Sequence, residues 1–336
     1  MSIGFRGAIV LIHADLGKVE WSQSLPKCRE LSTRLGCELI IVKRAAGGML
    51  ERWQGRWKAN VDRWENLSCV KIILPWSSAA MRFCTSELKV APICSELKKR
   101  FNGMAIVNAM GIRREESCSR AKKPVSSSNG KLSHKTPSKK TGMATFGIDW
   151  NPIIEWKVDD VFSEIRSIGM EPHEAYTKFG MSRVSCMFCI LSNQCDLLNA
   201  TKANESHSLY RDQVELEIAS TFSFQAKWLG DVNPSLLTED QRIRLAQAKV
   251  NAERRIAAES RIPKHMLYTN GWPHSVPSYS DAALLAEVRI EVGEALGLQP
   301  KYSTAESIVN RYTELLELKE SKNDRNNSSR KVESNR

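Results

Sequence analysis

Three apolar, β-rich runs separated by stretches of helical spacing set the architecture this chain can adopt. "AIVLIHADLG" (8–17) reads as a buried strand that breaks at Asp15 and Gly17, "CELIIVKR" (37–44) as a second, and "GMAIVNAMGIRREES" (103–117) as a third that runs into a charged loop. Between them, "SLPKCRELSTRLG" has helical spacing with a stop at Gly36. "GMLERWQGRWKANVDRW" (48–64) places Trp53, Trp57 and Trp64 as core anchors, and "SELKVAPICSELKKRF" is helical around Pro92. Strands alternating with helices predict a parallel sheet covered on both faces. The expected fold class is therefore α/β: a three-layer αβα sandwich with a mostly parallel, Rossmann-like sheet, followed by a helical C-terminal region. The helices after about residue 205 are predicted at 238–260, 280–297 and 303–320, and "VDDVFSEIRSIGM" (158–170) is amphipathic. The expected boundaries are an α/β domain over 1–230 with a flexible basic insertion at 120–147, a helical accessory region over 231–320 and a disordered tail over 321–336.

The formal charge of +11 raises the question of a nucleic-acid partner, so its location matters. Residues 120–141 carry seven Lys or Arg and no acid, and residues 319–336 carry six basic residues against three acidic. These two Ser-, Lys- and Asn-rich stretches hold ten of the eleven surplus charges, which leaves the remainder close to neutral. Nothing resembles a signal peptide, and no run reaches the roughly 18 apolar residues of a membrane span. The chain is read as cytoplasmic and without a membrane partner; its oligomeric state is not legible. Nine cysteines, an odd number, argue against a disulfide framework in such a compartment.

Two constellations carry chemistry. Cys186 and Cys189 form a CxxC, with Cys195 following in "SRVSCMFCILSNQC" (182–195). Two thiolates on one side of a tight turn suit zinc, an iron–sulfur cluster or a redox disulfide, and inert packing is the structural alternative. Cys84 is the best fourth ligand, beside Arg82 and Lys89, cations that favour a thiolate. A zinc site normally uses two paired turns, so the missing second pair favours iron–sulfur. Cys28, Cys37, Cys69, Cys94 and Cys118 read as small packing residues. The second constellation gathers Arg82, Lys89, Arg113, Arg114 and Arg120 with the hydroxyls of Thr85 and Ser117, a mixture suited to phosphate or sulfate. Surface salt bridges to Glu87, Glu115 and Glu116 are the alternative. In open parallel sheets ligands sit at the carboxyl ends of the strands, which draws Asp15, Gly17, Gly111, Arg113 and Glu116 to one crevice. His13, at the end of a buried strand, reads as a hydrogen-bonded core residue. No general base emerges from Asp149, Asp159 or Asp160.

"HADLGKVEW" (13–21), "RFCTSELKVAPI" (82–93), "GIRREESCSR" (111–120), "WNPIIEWKVDDVF" (150–162) and "SRVSCMFC" (182–189) occur in the order found in the phosphoadenosine phosphosulfate reductase family. The chain resembles that family over roughly residues 8–230. The family has the adenine nucleotide alpha-hydrolase-like fold and counts ATP pyrophosphatases and DNA phosphorothioation enzymes among its relatives. The helical remainder, including "TNGWPHSVPS" (269–278), resembles an accessory region of a phage- or plasmid-like branch. The resemblance implies an adenine nucleotide, ATP or a relative, as substrate, with Mg²⁺ a further candidate. It puts Asp15 and Gly17 near the nucleotide, and Arg82, Thr85, Lys89, Gly111, Arg113, Glu116, Ser117 and Arg120 near its phosphate or sulfate. It also implies a 4Fe-4S cluster on Cys84, Cys186, Cys189 and Cys195, although Thr85 stands where sulfate-reducing relatives have a second adjacent Cys. The implied partners are a sulfur-donor protein and a nucleic-acid acceptor. Two departures matter: the Glu-Cys-Gly-Leu-His type motif of thioredoxin-coupled members is missing, and the family's SGGKDS-type phosphate loop precedes the strand that here begins seven residues after Met1. The leading expectation is an enzyme of nucleotide-dependent sulfur transfer. The alternatives are a partner-dependent or inactive subunit whose phosphate loop comes from elsewhere, and a nucleic-acid-binding protein with a structural metal.

Overall fold

The computed structural model describes residues 7–334, with side chains described up to Ser321. The chain forms two compact units that do not follow chain order. One comprises the N-terminal residues up to Glu51 together with Ser77–His207, the other Arg52–Trp76 together with everything from Ser208 onward.

The first unit is α/β with mostly parallel pairing, in keeping with a three-layer sandwich. Strand β1 (Val10–Asp15) pairs in parallel with β2 (Glu38–Lys43), Val10 opposite Glu38 and Asp15 opposite Lys43. Helix α1 (Ser24–Leu35) makes the crossover and stops at Gly36, whose φ of 61° supplies the left-handed cap. Helix α2 (Met49–Glu65) follows β2. A short α3 (Phe83–Thr85) runs through a π-helical turn into α4 (Ala91–Arg100), with Pro92 in its first turn where no N–H is missed. Strand β3 (Ala105–Ala109) then leads to α5 (Cys118–Ala121), β4 (Ser126–Ser128) and β5 (Phe146–Trp150). The order in this second sheet is β3-β5-β4, with β3 parallel and β4 antiparallel to β5.

The ladder is thus in two pieces, which one apolar cluster holds together. Cys94 and Leu97 of α4, Ile106 of β3 and the fully buried Leu132 pack with Val10 and Ile12 of β1. On one face of β3 and β5 the alternate residues Val107, Phe146 and Trp150 are 52%, 52% and 43% exposed and Ile148 is half-buried, while Leu132 packs over Gly147 on the other face.

The basic stretch 120–141, expected as mobile loop, is built into the fold. Asn129 turns the chain by accepting from the Lys131 and Leu132 N–H groups, and its amide donates to Asp149 Oδ1 at 2.8 Å. Asn108 on β3 donates to the same oxygen, also at 2.8 Å. Leu132 seats directly over Gly147, where any Cβ would collide with it. The lysines point outward from this turn while one leucine and two asparagines fix it, which charge counting cannot detect.

After α6 (Val158–Ser167), α7 (Glu174–Thr177) and α8 (Gln194–Ala200), the second unit is helical: α9 (His207–Ser220), α10 (Glu239–Ser260), α11 (Tyr279–Leu296) and α12 (Ala305–Ser334). Trp53, Trp76 and Phe224 meet edge to face with centroids 5.0–5.9 Å apart, and Trp64 is buried under the Arg289 guanidinium at 4.7 Å. Among the described residues, Leu67 and Thr221 take left-handed backbone without being glycine. Leu67 (φ 47°) is fully buried, and Thr221 (φ 54°) offers its carbonyl and hydroxyl to Arg255 at 3.1 and 3.0 Å. Glu217, fully buried, accepts the N–H groups of Phe224, Leu229 and Gly230 at 2.6, 2.8 and 3.1 Å. Burial outweighs those donors and lifts its carboxyl to about 7. Among the described residues no helix is long and apolar enough to cross a membrane.

Two outcomes follow from this packing. Leu132→Ala should cost about 2–4 kcal/mol in urea unfolding, since it empties the cluster between the two sheets; a surface loop would lose nothing measurable. A folded pKa raised above the unfolded value makes Glu217 most stabilising below pH of about 4.5, and that contribution fades as pH rises through about 7. Unfolding measured between pH 5 and 8 should show a loss on the order of 3 kcal/mol that Glu217→Gln abolishes.

Candidate functional site

The carboxyl end of β1 is shaped by a short carboxylate turn. The Gly17 N–H donates to Asp15 Oδ1 at 2.7 Å, and Gly17 takes a φ of 75° that a side chain would resist. Asp15 Oδ2 faces Lys43 Nζ of β2 at 3.5 Å. The Leu16 carbonyl accepts from the Met49 N–H at 2.9 Å, and a Cβ at Gly48 would strike that carbonyl. Trp21 closes the loop by stacking on Phe179 at 5.3 Å, with His173 against its edge.

The cysteine segment is seated on this same loop. The Met187 N–H donates to the Val19 carbonyl at 2.9 Å, and Met187 and Phe188, the two residues inside the CxxC, are buried. Asp196 of α8 pins the start of the segment, accepting from the Ser182 N–H and hydroxyl at 2.7 Å each, while Arg183 donates to the Leu191 carbonyl. The Leu191 N–H lies 3.5 Å from Cys189 Sγ. Burial pushes the Cys186 thiol up to about 12; Lys89 opposes the shift, and the neighbouring Cys189, Glu20 and Cys84 add to it. Cys84, Cys186, Cys189, Lys89 and Glu20 therefore share one electrostatic neighbourhood.

A second group forms where β3 and β5 end together. The Met110 N–H donates to the Trp150 carbonyl and the Arg114 N–H to the Ile154 carbonyl, both at 2.9 Å, so the "GIRREESCSR" loop is held by the "WNPIIEW" turn. Its cations are matched by its own acids: Arg113 pairs with Glu115 and Glu116, Arg120 with Glu116, and Arg114 with Glu155 at 2.7 Å. Ser117 caps α5, its hydroxyl accepting from the Arg120 N–H at 3.3 Å. An arginine in such a pair keeps its donors aimed and exchanges a carboxylate for a phosphate at small cost.

The model of the phosphoadenosine phosphosulfate reductase domain matches residues 9–192, from the start of β1 to the end of the cysteine turn. The chain belongs to the phosphoadenosine phosphosulfate reductase domain family. No curated protein matches it. The residues that this domain brings together fall into the two groups above. Asp15 and Gly17 shape the end of β1, Cys84, Lys89 and Cys189 lie in electrostatic range of Cys186 in the turn hung on Val19, and Gly111, Arg113, Glu116, Ser117 and Arg120 belong to the loop after β3. The Arg82 carbonyl opens α3, accepting from the Thr85 N–H at 2.9 Å, and Thr85 Oγ1 stands 4.0 Å from Cys84 Sγ.

The cysteines do not form a ready cage. Cys195 is exposed on α8, and among the described residues no three His, Cys, Asp or Glu side chains gather closely enough to hold a metal ion. The donor set as arranged does not form a preassembled 4Fe-4S site. Sequence reasoning missed β5, the Asp196 clamp and the contacts of His13 with Glu20 and Cys28. The last was accessible in principle, since His13 and Asp15 share one face of β1.

Alkylation of Cys186, followed by peptide mass mapping, should still be accelerating above pH 10, and Lys89→Met should slow it further by removing the one cation that favours its thiolate.

Proposed function

We propose that the α/β unit is an enzyme of adenine-nucleotide-dependent sulfur transfer. Membership of the family ties the chain to nucleotide-linked sulfur chemistry. The observation that carries the finer reading is the Met187-to-Val19 hydrogen bond, which seats the CxxC turn on the loop after β1. Thiols and the strand-end carboxylate loop thereby face one place, as a reaction between a sulfur nucleophile and a nucleotide-activated acceptor requires.

In this reading the nucleotide's phosphates exchange with Glu115 and Glu116 on Arg113 and Arg120, and Asp15 and Gly17 line the nucleotide's other end. Cleavage at the α-phosphate activates the acceptor. Lys89 favours the Cys186 thiolate, but burial outweighs it and keeps the thiol protonated at neutral pH until substrate binding changes its surroundings. The acceptor class extends to nucleobases, nucleic-acid backbone and small molecules, with the basic turn 120–141 as the contact for a nucleic acid. The protein acts in the cytoplasm.

A second reading has its own observation. The apolar face of Val107, Phe146 and Trp150 is half-exposed, as on a subunit whose sheet another segment or chain covers. Calorimetric titration of the anaerobically purified chain with ATP and with phosphoadenosine phosphosulfate separates the two. The enzyme reading expects binding to at least one of them, weakened about tenfold by Arg113→Ala through loss of charged hydrogen bonds. Absence of binding to either overturns it in favour of the partner-completed subunit.

A further inference from the structure

Beside the end of β1 stands a thiol–imidazole–carboxylate relay that the reading above does not use. Cys28 Sγ, on α1, lies 3.6 Å from His13 Nδ1, and His13 Nε2 lies 3.1 Å from Glu20 Oε2. A thiol, an imidazole within hydrogen-bond reach and a carboxylate that orients the imidazole is the arrangement of nucleophilic catalysis. All three side chains are half-buried, so the sulfur is sheltered yet reachable. Packing alone would ask only for a small apolar residue at position 28.

We propose that Cys28, His13 and Glu20 form a nucleophilic thiol site that accepts a sulfane sulfur from a persulfide donor. The proposal rests on the sulfur-transfer reading and adds the residue that would carry the sulfur. In the step, Cys28 gives its proton to solvent, the His13 imidazolium stands beside the thiolate left behind, and that thiolate attacks the outer sulfur of R–S–SH. One S–S bond forms on Cys28, the donor's S–S bond breaks, and the departing R–S⁻ takes the proton from the His13 imidazolium to leave as R–SH. No external oxidant or reductant is consumed, because one persulfide replaces another. Hydrogen bonds to Cys28 and Glu20 hold the His13 imidazole up to about 10, so it is protonated and able to serve this way at neutral pH.

The surrounding charges are otherwise engaged. On β1 and β2, Asp15 is matched by Lys43, and on α1, Lys27 pairs with Glu30 at 2.8 Å. Glu20 lies within electrostatic range of both His13 and Cys186, so the relay adjoins the CxxC turn on which the proposed transfer depends.

The experiment uses the full chain, incubated anaerobically with sodium tetrasulfide at about pH 7 and mapped by mass spectrometry. Cys28 should gain one sulfur about tenfold faster than Cys37, which is half-buried just beyond the same helix. His13→Gln should remove that advantage. Glu20→Gln should reduce it partially, and it supplies the test should His13→Gln fail to fold by circular dichroism. Cys28→Ser should lower the His13 pKa measured by NMR, which a mere packing role for the cysteine would not do. Equal uptake at Cys28 and Cys37, or a His13 titration indifferent to Cys28→Ser, overturns the proposal. Nucleotide binding with an inert Cys28 would sink this inference alone; a reactive Cys28 without nucleotide binding would sink the enzyme reading and leave the thiol site standing.

Discussion

Parallel pairing of β1 with β2 forces both strands to end at the same edge, and the chemistry of the first unit hangs from that edge. A parallel neighbour can be reached only by a crossover, which α1 provides, so the loop after β1 is left free to carry function. Asp15 and Lys43 end up opposite each other, Gly17 turns the chain, and Gly48 lets the next helix start within hydrogen-bond reach of Leu16. Val19 then offers its carbonyl to the N–H of Met187, in a segment about 170 residues away in sequence.

Electrostatics divides the two ends of the sheet pieces into different kinds of surface. Where β3 and β5 end, arginines and glutamates neutralise one another in exposed pairs that are individually weak and easily exchanged. At the end of β1 the thiols meet burial and a single lysine, so Cys186 is held as a thiol while His13 is held as a cation.

The second unit solves a different problem, that of burying polar groups among helices. Arg255 and Glu259 form an ion pair at 3.1 Å, 5% and 8% exposed, and each has further partners: Thr221 for the arginine, the Ile72 N–H for the glutamate. A buried pair adds little stability against an apolar pair of the same shape, but breaking one half is costly, so such contacts select one packing over others. Glu217 with its three N–H donors does the same for the turn at Phe224–Gly230.

The sequence by itself determined the strands at Val10–Asp15, Glu38–Lys43 and Ala105–Ala109, the helices with their Gly36 and Pro92 punctuation, and the order of motifs that marks the family. These features are local: periodicity, caps and motif spacing act within a few turns of chain. Only the tertiary structure decided that Arg52–Trp76 belongs with the C-terminal helices, that the basic stretch is pinned by Leu132 and Asn129, and that Val107, Phe146 and Trp150 are half-exposed on β3 and β5. The same holds for the site. Cys186 and Cys189 announce themselves by spacing. Cys28 reads as a packing residue in the sequence and folding sets it against His13, while Cys195, marked by its spacing, is exposed on α8. Through-space juxtaposition of residues from different elements leaves no periodic trace in the chain, because it is fixed by packing rather than by sequence distance.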